Sequence, residues 1–274
     1  RTSKSAGLMI YDMAQSETRY LQLVDLSDLP LHLYQIRGIS LCEDRLFALT
    51  PCALLVFRIT AEREGPVFQH EKTVCRPEWA MGRHQQGDLH AVHASRSEKR
   101  LYVSFNAQCA VDVFDLDGNF LHRRYLWDIA PDLFPVPAGP IRTDFHYGIV
   151  RHMFESDTDG LLLTTALLNG TTDSAVIKYE HGSVIHYRQD TPLHGGIIEK
   201  DRLYLCAVRD GEIQSFTVYS GAAPGEGTPL SRFIPQLTSE KWYGSDQHPR
   251  GLAVIDDKLI CGVFDFRKPK SNQI

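Results

Sequence analysis

Five stretches of the chain repeat one cadence: a small or apolar run, a polar turn, then a second apolar run. They are "RGISLCEDRLFAL" from Arg37, "HAVHASRSEKRLYVS" from His90, "HYGIVRHMFESDTDGLLLTT" from His146, "HGGIIEKDRLYLCA" from His194 and "RGLAVIDDKLICGV" from Arg250. Turns rich in Glu, Asp and Lys between apolar runs predict β-hairpins. A third run follows four of the pairs: "ALLVF" at 53–57, "AVDVF" at 110–114, "AVIKY" at 175–179 and "EIQSF" at 212–216. Each closes on an aromatic residue. The copy missing after Val263 stands at the other end of the chain, as "GLMIY" at 7–11. Fourth runs follow in places, among them "NFLHRRYL" at 119–126, "SVIHYR" at 183–188 and "RYLQLVDL" at 19–26.

Four antiparallel strands recurring about every fifty residues resemble the β-propeller superfamily. The predicted fold is all-β: a single domain over residues 1–274, a five-bladed β-propeller with four-stranded antiparallel blades. One blade is closed by N- and C-terminal strands, which hides two sheet edges. No WD dipeptide or kelch glycine pair recurs, so the resemblance stops at the superfamily. The stretches 69–88, 127–143 and 220–247 hold Trp79, Trp127 and Trp242 and read as loops gathered on one face. Loops of that length are usually functional.

In a propeller the first strand of each blade lines the axis. The aligned column reads Arg37, His90, His146, His194, Arg250. Three imidazoles at one position of successive inner strands predict a metal site of His90, His146 and His194, with coordination positions left open for substrate. Imidazole suits a divalent transition metal such as zinc, iron or manganese. Arg37 and Arg250 are the predicted catalytic and substrate-binding cations, because a guanidinium fork pairs bidentately with carboxylate, phosphate or sulfate. Asp144, two residues before His146, is the predicted catalytic carboxylate, and Trp242 and Tyr147 the predicted substrate contacts. His93, His122, His152 and His186 read as structural.

The plan is similar to that of propeller enzymes that hold a metal with axial histidines, the carotenoid-cleaving oxygenases and the oligogalacturonate lyases. Only the idea carries over, since both have seven blades. Two arginines in the column favour an anionic substrate over an apolar polyene. The resemblance therefore implies a metal-dependent lyase or hydrolase acting on an anionic small molecule or sugar. The alternative is a non-catalytic propeller that binds a glycan or a protein partner through its loop face.

Composition narrows the field. A net charge of −5 argues against nucleic acid as a partner. No run of eighteen apolar residues offers a membrane span. Six cysteines without a C-x-x-C pair point to the cytoplasm rather than to a disulfide framework. There is no G-x-S-x-G, no phosphate-cradling glycine loop and no H-E-x-x-H.

Overall fold

The computed structural model describes residues 7–12, 19–25, 36–63, 65–79, 89–137, 148–157, 159–166, 173–188, 193–199, 202–209, 215–222, 234–238, 247–255 and 258–265. Among the described residues strands follow one another with little else between them. β1 (Gly7–Asp12) and β2 (Arg19–Asp25) form an antiparallel ladder. β3 (Gly38–Cys42), β4 (Arg45–Leu49), β5 (Leu54–Glu62) and β6 (Gly65–Val74) form a four-stranded meander in chain order. The next meander is β7 (Leu89–Ser95), β8 (Arg100–Phe105), β9 (Ala110–Asp115) and β10 (Phe120–Tyr125). After the short helix α1 (Leu126–Ile129) comes a third, of β11 (Ile149–Ser156), β12 (Gly160–Ala166), β13 (Ser174–Lys178) and β14 (Val184–Arg188). The fourth is β15 (Leu193–Glu199), β16 (Arg202–Arg209), β17 (Ser215–Ala222) and β18 (Ile234–Thr238). β19 (Gln247–Ile255) and β20 (Lys258–Asp265) close the order as a two-stranded ladder.

Local chemistry explains the turns. Glu43 sits at φ 56 in the two-residue turn that joins Cys42 to Arg45. In "DLDGN" Gly118 takes φ 75, and its N–H donates to the Asp115 carbonyl at 3.0 Å. A Cβ at Gly118 would stand 3.0 Å from Val74 Cγ2, so both backbone and space ask for glycine there.

The chain divides into two compact units, Arg1–Phe105 with Asp112–His122 and Asn106–Val111 with Arg123–Ile274. In the first unit β3 lies beside β7. Ser40 Oγ accepts the Ala94 N–H at 2.9 Å, and Gly38 leaves room for Val92, whose Cγ1 would be 3.3 Å from an added Cβ. Leu46, Ala48, Ala53, Leu55 and Phe57 make a buried cluster between strands of the first meander. In the second unit β11 lies beside β15, and β15 beside β19. There Phe154, Leu162, Val176, Ile185, Leu193, Leu203 and Leu205 form one core that draws on the third and fourth meanders.

Successive four-stranded meanders with adjoining first strands are propeller blades in construction. The chain is all-β, as the repeat predicts. The two ends carry β1–β2 in the first unit and β19–β20 in the second, the strands from which a fifth blade was expected. The expected loops are partly strand: β6 runs to Val74, β18 interrupts 220–247, and α1 occupies the start of 127–143. In "EIQSF" only Ser215 and Phe216 belong to a described strand. Among the described residues no helix is long and apolar enough to cross a membrane.

Candidate functional site: the entry of the first strands

The last strand residue before each first hairpin turn is Cys42, Ser95, Ser156, Glu199 or Ile255. Counting back five residues from each reaches Arg37, His90, Arg151, His194 and Arg250. Strand pairing marks the same place. The ladders shift register between Leu89 and Val92, Val150 and His152, Leu193 and Gly195, and Pro249 and Leu252. Each shift leaves the basic residue outside the pairing, alone or with one neighbour. A bulge of this kind bends the strand and re-aims a side chain.

Four of the sequence-predicted residues hold this position. In the first unit Arg37 precedes β3, half-buried, with its backbone N–H donating to Leu49 O at 2.7 Å. His90 is the second residue of β7 and is buried. In the second unit His194 is the second residue of β15, and Arg250 lies within β19. His146, Asp144, Tyr147 and Trp242 lie outside the described residues.

The register gives the third repeat a different member from the one expected. Arg151, not His146, occupies its bulge, and Arg151 is half-buried. Alignment by residue type misses it because a basic residue also stands five positions earlier. Alignment from the hairpin turn finds it, as does the shared pattern of apolar, Arg or His, then a third residue: "IRG", "LHA", "VRH", "LHG" and "PRG".

A second device recurs at the same place. In the first unit the Leu89 N–H donates to Pro51 O at 3.1 Å, in a turn shaped by Thr50, whose Oγ1 accepts the Ala53 N–H at 2.9 Å. In the second unit the Val150 N–H donates to Asn106 Oδ1 at 3.0 Å, and the Leu193 N–H to Ser174 Oγ at 2.8 Å. The acceptors flank the turn between second and third strands of the preceding meander. Each hydrogen bond fixes the residue immediately before His90, Arg151 or His194. The fold thus pins the backbone that carries the basic side chain.

His152 stands in mid-strand rather than near a turn, its Nδ1 accepting the Gly196 N–H at 3.4 Å and its ring 6.0 Å from Phe154. His122 is exposed on β10.

One of the three tryptophans in the expected loops lies in the core. Trp79 is fully buried, its Nε1 donating to the buried Asp112 Oδ2 at 2.9 Å and its ring edge-on to Phe114 at 5.7 Å. A proline-flanked tryptophan in a polar stretch reads as exposed; its carboxylate partner, 33 positions on, is what buries it. Trp127 is half-buried and stacked on Tyr125 at 4.5 Å. Among the described residues no three His, Cys, Asp or Glu side chains gather as a metal site.

No protein-family model matches the chain, and no curated protein matches it. Solved structures do. The chain is similar to the hydrazine synthase of Kuenenia stuttgartiensis, with a TM-score of 0.52 at 14% identity over 88% of this chain and 79% of that one. It is similar to a protein of Bacteroides uniformis described as a candidate 6-phosphogluconolactonase, with a TM-score of 0.52 at 12% identity over 95% and 74%. A protein from Lactobacillus plantarum gives a TM-score of 0.50 at 9% identity over 95% and 78%. At such identities the likeness is one of fold, and with the four meanders it makes this chain an all-β protein of the β-propeller class.

Proposed function

We propose that the protein binds and acts on an anionic small molecule or sugar through basic residues at the entry of first strands, Arg37 and His90 in the first unit or Arg151, His194 and Arg250 in the second. One observation carries this reading: in four of the five repeats the residue held out of strand pairing at the entry of the first strand, alone or with one neighbour, is Arg or His. Guanidinium groups suit carboxylate, phosphate or sulfate, and a neutral or protonated imidazole adds donors to the same oxygens. Hydrolysis or elimination at the bound group is the reaction class that such a donor set serves.

A divalent transition metal fits these residues less well. The register position holds three arginines and two histidines across the five repeats. Arginine is a cation that does not ligate metals, and two imidazoles are one short of a typical catalytic three-ligand set.

A thermal-shift screen of the full chain tests the reading. Citrate, tripolyphosphate and sulfate are compared with zinc, iron(II) and manganese at matched ionic strength. The expected result is stabilisation by an anion, weakened in Arg37→Gln or in Arg250→Gln according to the unit that binds it. Stabilisation by zinc that disappears in His90→Ala restores the metal site; no response to any anion ends the proposal.

A further inference from the structure

Three neighbouring first strands of the second unit present one register position. β11 adjoins β15, and β15 adjoins β19. Their ladders shift at Val150/His152, Leu193/Gly195 and Pro249/Leu252, which puts Arg151, His194 and Arg250 at equivalent places. Adjoining first strands thus carry two arginines and a histidine at one register position.

Arg151 has the most closely defined backbone of the three. Val150 before it is held at both of its polar groups by Asn106: Oδ1 accepts the Val150 N–H at 3.0 Å, and Nδ2 donates to Val150 O at 3.4 Å. His152 after it is tied to β15 through the Gly196 N–H. The residue between two such anchors has little backbone freedom left to lose on binding, which favours affinity.

We infer that Arg151 is a binding residue for the ligand and that, with Arg250 and His194, it selects a small molecule bearing two or more anionic groups. This rests on the anion-binding reading above. Two arginines at equivalent register positions of neighbouring first strands favour a dianion, which can pair with both, over a monoanion, which can pair with one. Phosphate oxygens and carboxylate oxygens share this chemistry, and tripolyphosphate and citrate represent the two sources.

The experiment is isothermal titration of the full chain with tripolyphosphate and with citrate, acetate serving as the monoanion, all at one ionic strength. Wild type, Arg151→Gln, Arg151→Lys, Arg250→Gln and the exposed control Arg58→Gln are compared. Wild type is expected to bind at least one of the two probes and not acetate. Arg151→Gln should weaken that binding about tenfold or more, the scale of a lost charged hydrogen bond. Arg151→Lys should fall between the two, and Arg58→Gln should match wild type. Equal affinities of Arg151→Lys and Arg151→Gln overturn the assignment without depending on a single variant's folding. Unchanged binding in Arg151→Gln with loss in Arg250→Gln removes Arg151 and leaves the anion reading standing. Acetate binding as tightly as citrate and tripolyphosphate overturns the polyanion preference. Binding of neither probe to wild type removes both.

Discussion

The Asn106 side chain brackets one residue of β11, accepting the Val150 N–H at 3.0 Å and donating to the Val150 carbonyl at 3.4 Å. Asn106 is buried, and so is Val150. Removing the amide leaves two buried backbone groups without this partner. Asn106→Ala should cost roughly 1–3 kcal/mol in urea unfolding, the range for hydrogen bonds removed from buried groups. Asn106→Asp keeps the acceptor but sets an oxygen against the Val150 carbonyl, so it should not restore wild-type stability.

Trp79 and Asp112 offer a second test. Asp112 accepts from Trp79 Nε1 and has Arg76 Nε at 3.9 Å, with Arg76 packed over the Phe120 ring at 3.5 Å. Trp79→Phe keeps most of the apolar contact and removes the donor. The expected loss is about 1–3 kcal/mol, the cost of leaving a buried acceptor short of a partner. A urea midpoint equal to wild type would mean that the indole contributes by packing alone.

Two glycines of the second unit mark close approaches. A Cβ on Gly196 would lie 2.7 Å from Phe154 Cε1, and one on Gly182, at φ +67, would lie 1.8 Å from Ile129 O. Gly182→Ala should be the worse, at about 2 kcal/mol or more, because backbone strain adds to a clash with backbone. Gly196→Ala meets the end of a side chain and should cost less. Thermal unfolding of the pair gives the order directly.

Asp115 couples stability to acid. Burial pushes its carboxyl up, but hydrogen bonds from the Asn119 backbone and side chain and from the Asp117 backbone, with the charge of Lys72, hold it below its ordinary 3.8. A depressed folded value means the stabilisation is present above the unfolded value and is lost as pH falls through the folded one. The difference in urea midpoint between wild type and Asp115→Asn should therefore be larger at pH 7 than at pH 3. A difference that grows toward pH 3 would contradict the assignment.

Hairpins and the spacing of the blades were determined by sequence alone, because turn residues and alternating apolar positions act over a few neighbours. "AVDVF" falls in β9 and "GLMIY" in β1, while "ALLVF" and "AVIKY" fall in β5 and β13 but for Ala53 and Tyr179 at their ends. β6 escaped for the same reason: its "QHEKTV" end is largely exposed and carries no apolar alternation. What only the tertiary structure decided is register and burial. The third repeat carries both His146 and Arg151; alignment by residue type picks the first, and the shift between Val150 and His152 against β12 marks the second. Trp79 is hidden by Asp112, a partner 33 residues away. Ladder offsets and buried hydrogen bonds are set by the neighbouring strand, and a residue's own surroundings in sequence do not contain that neighbour.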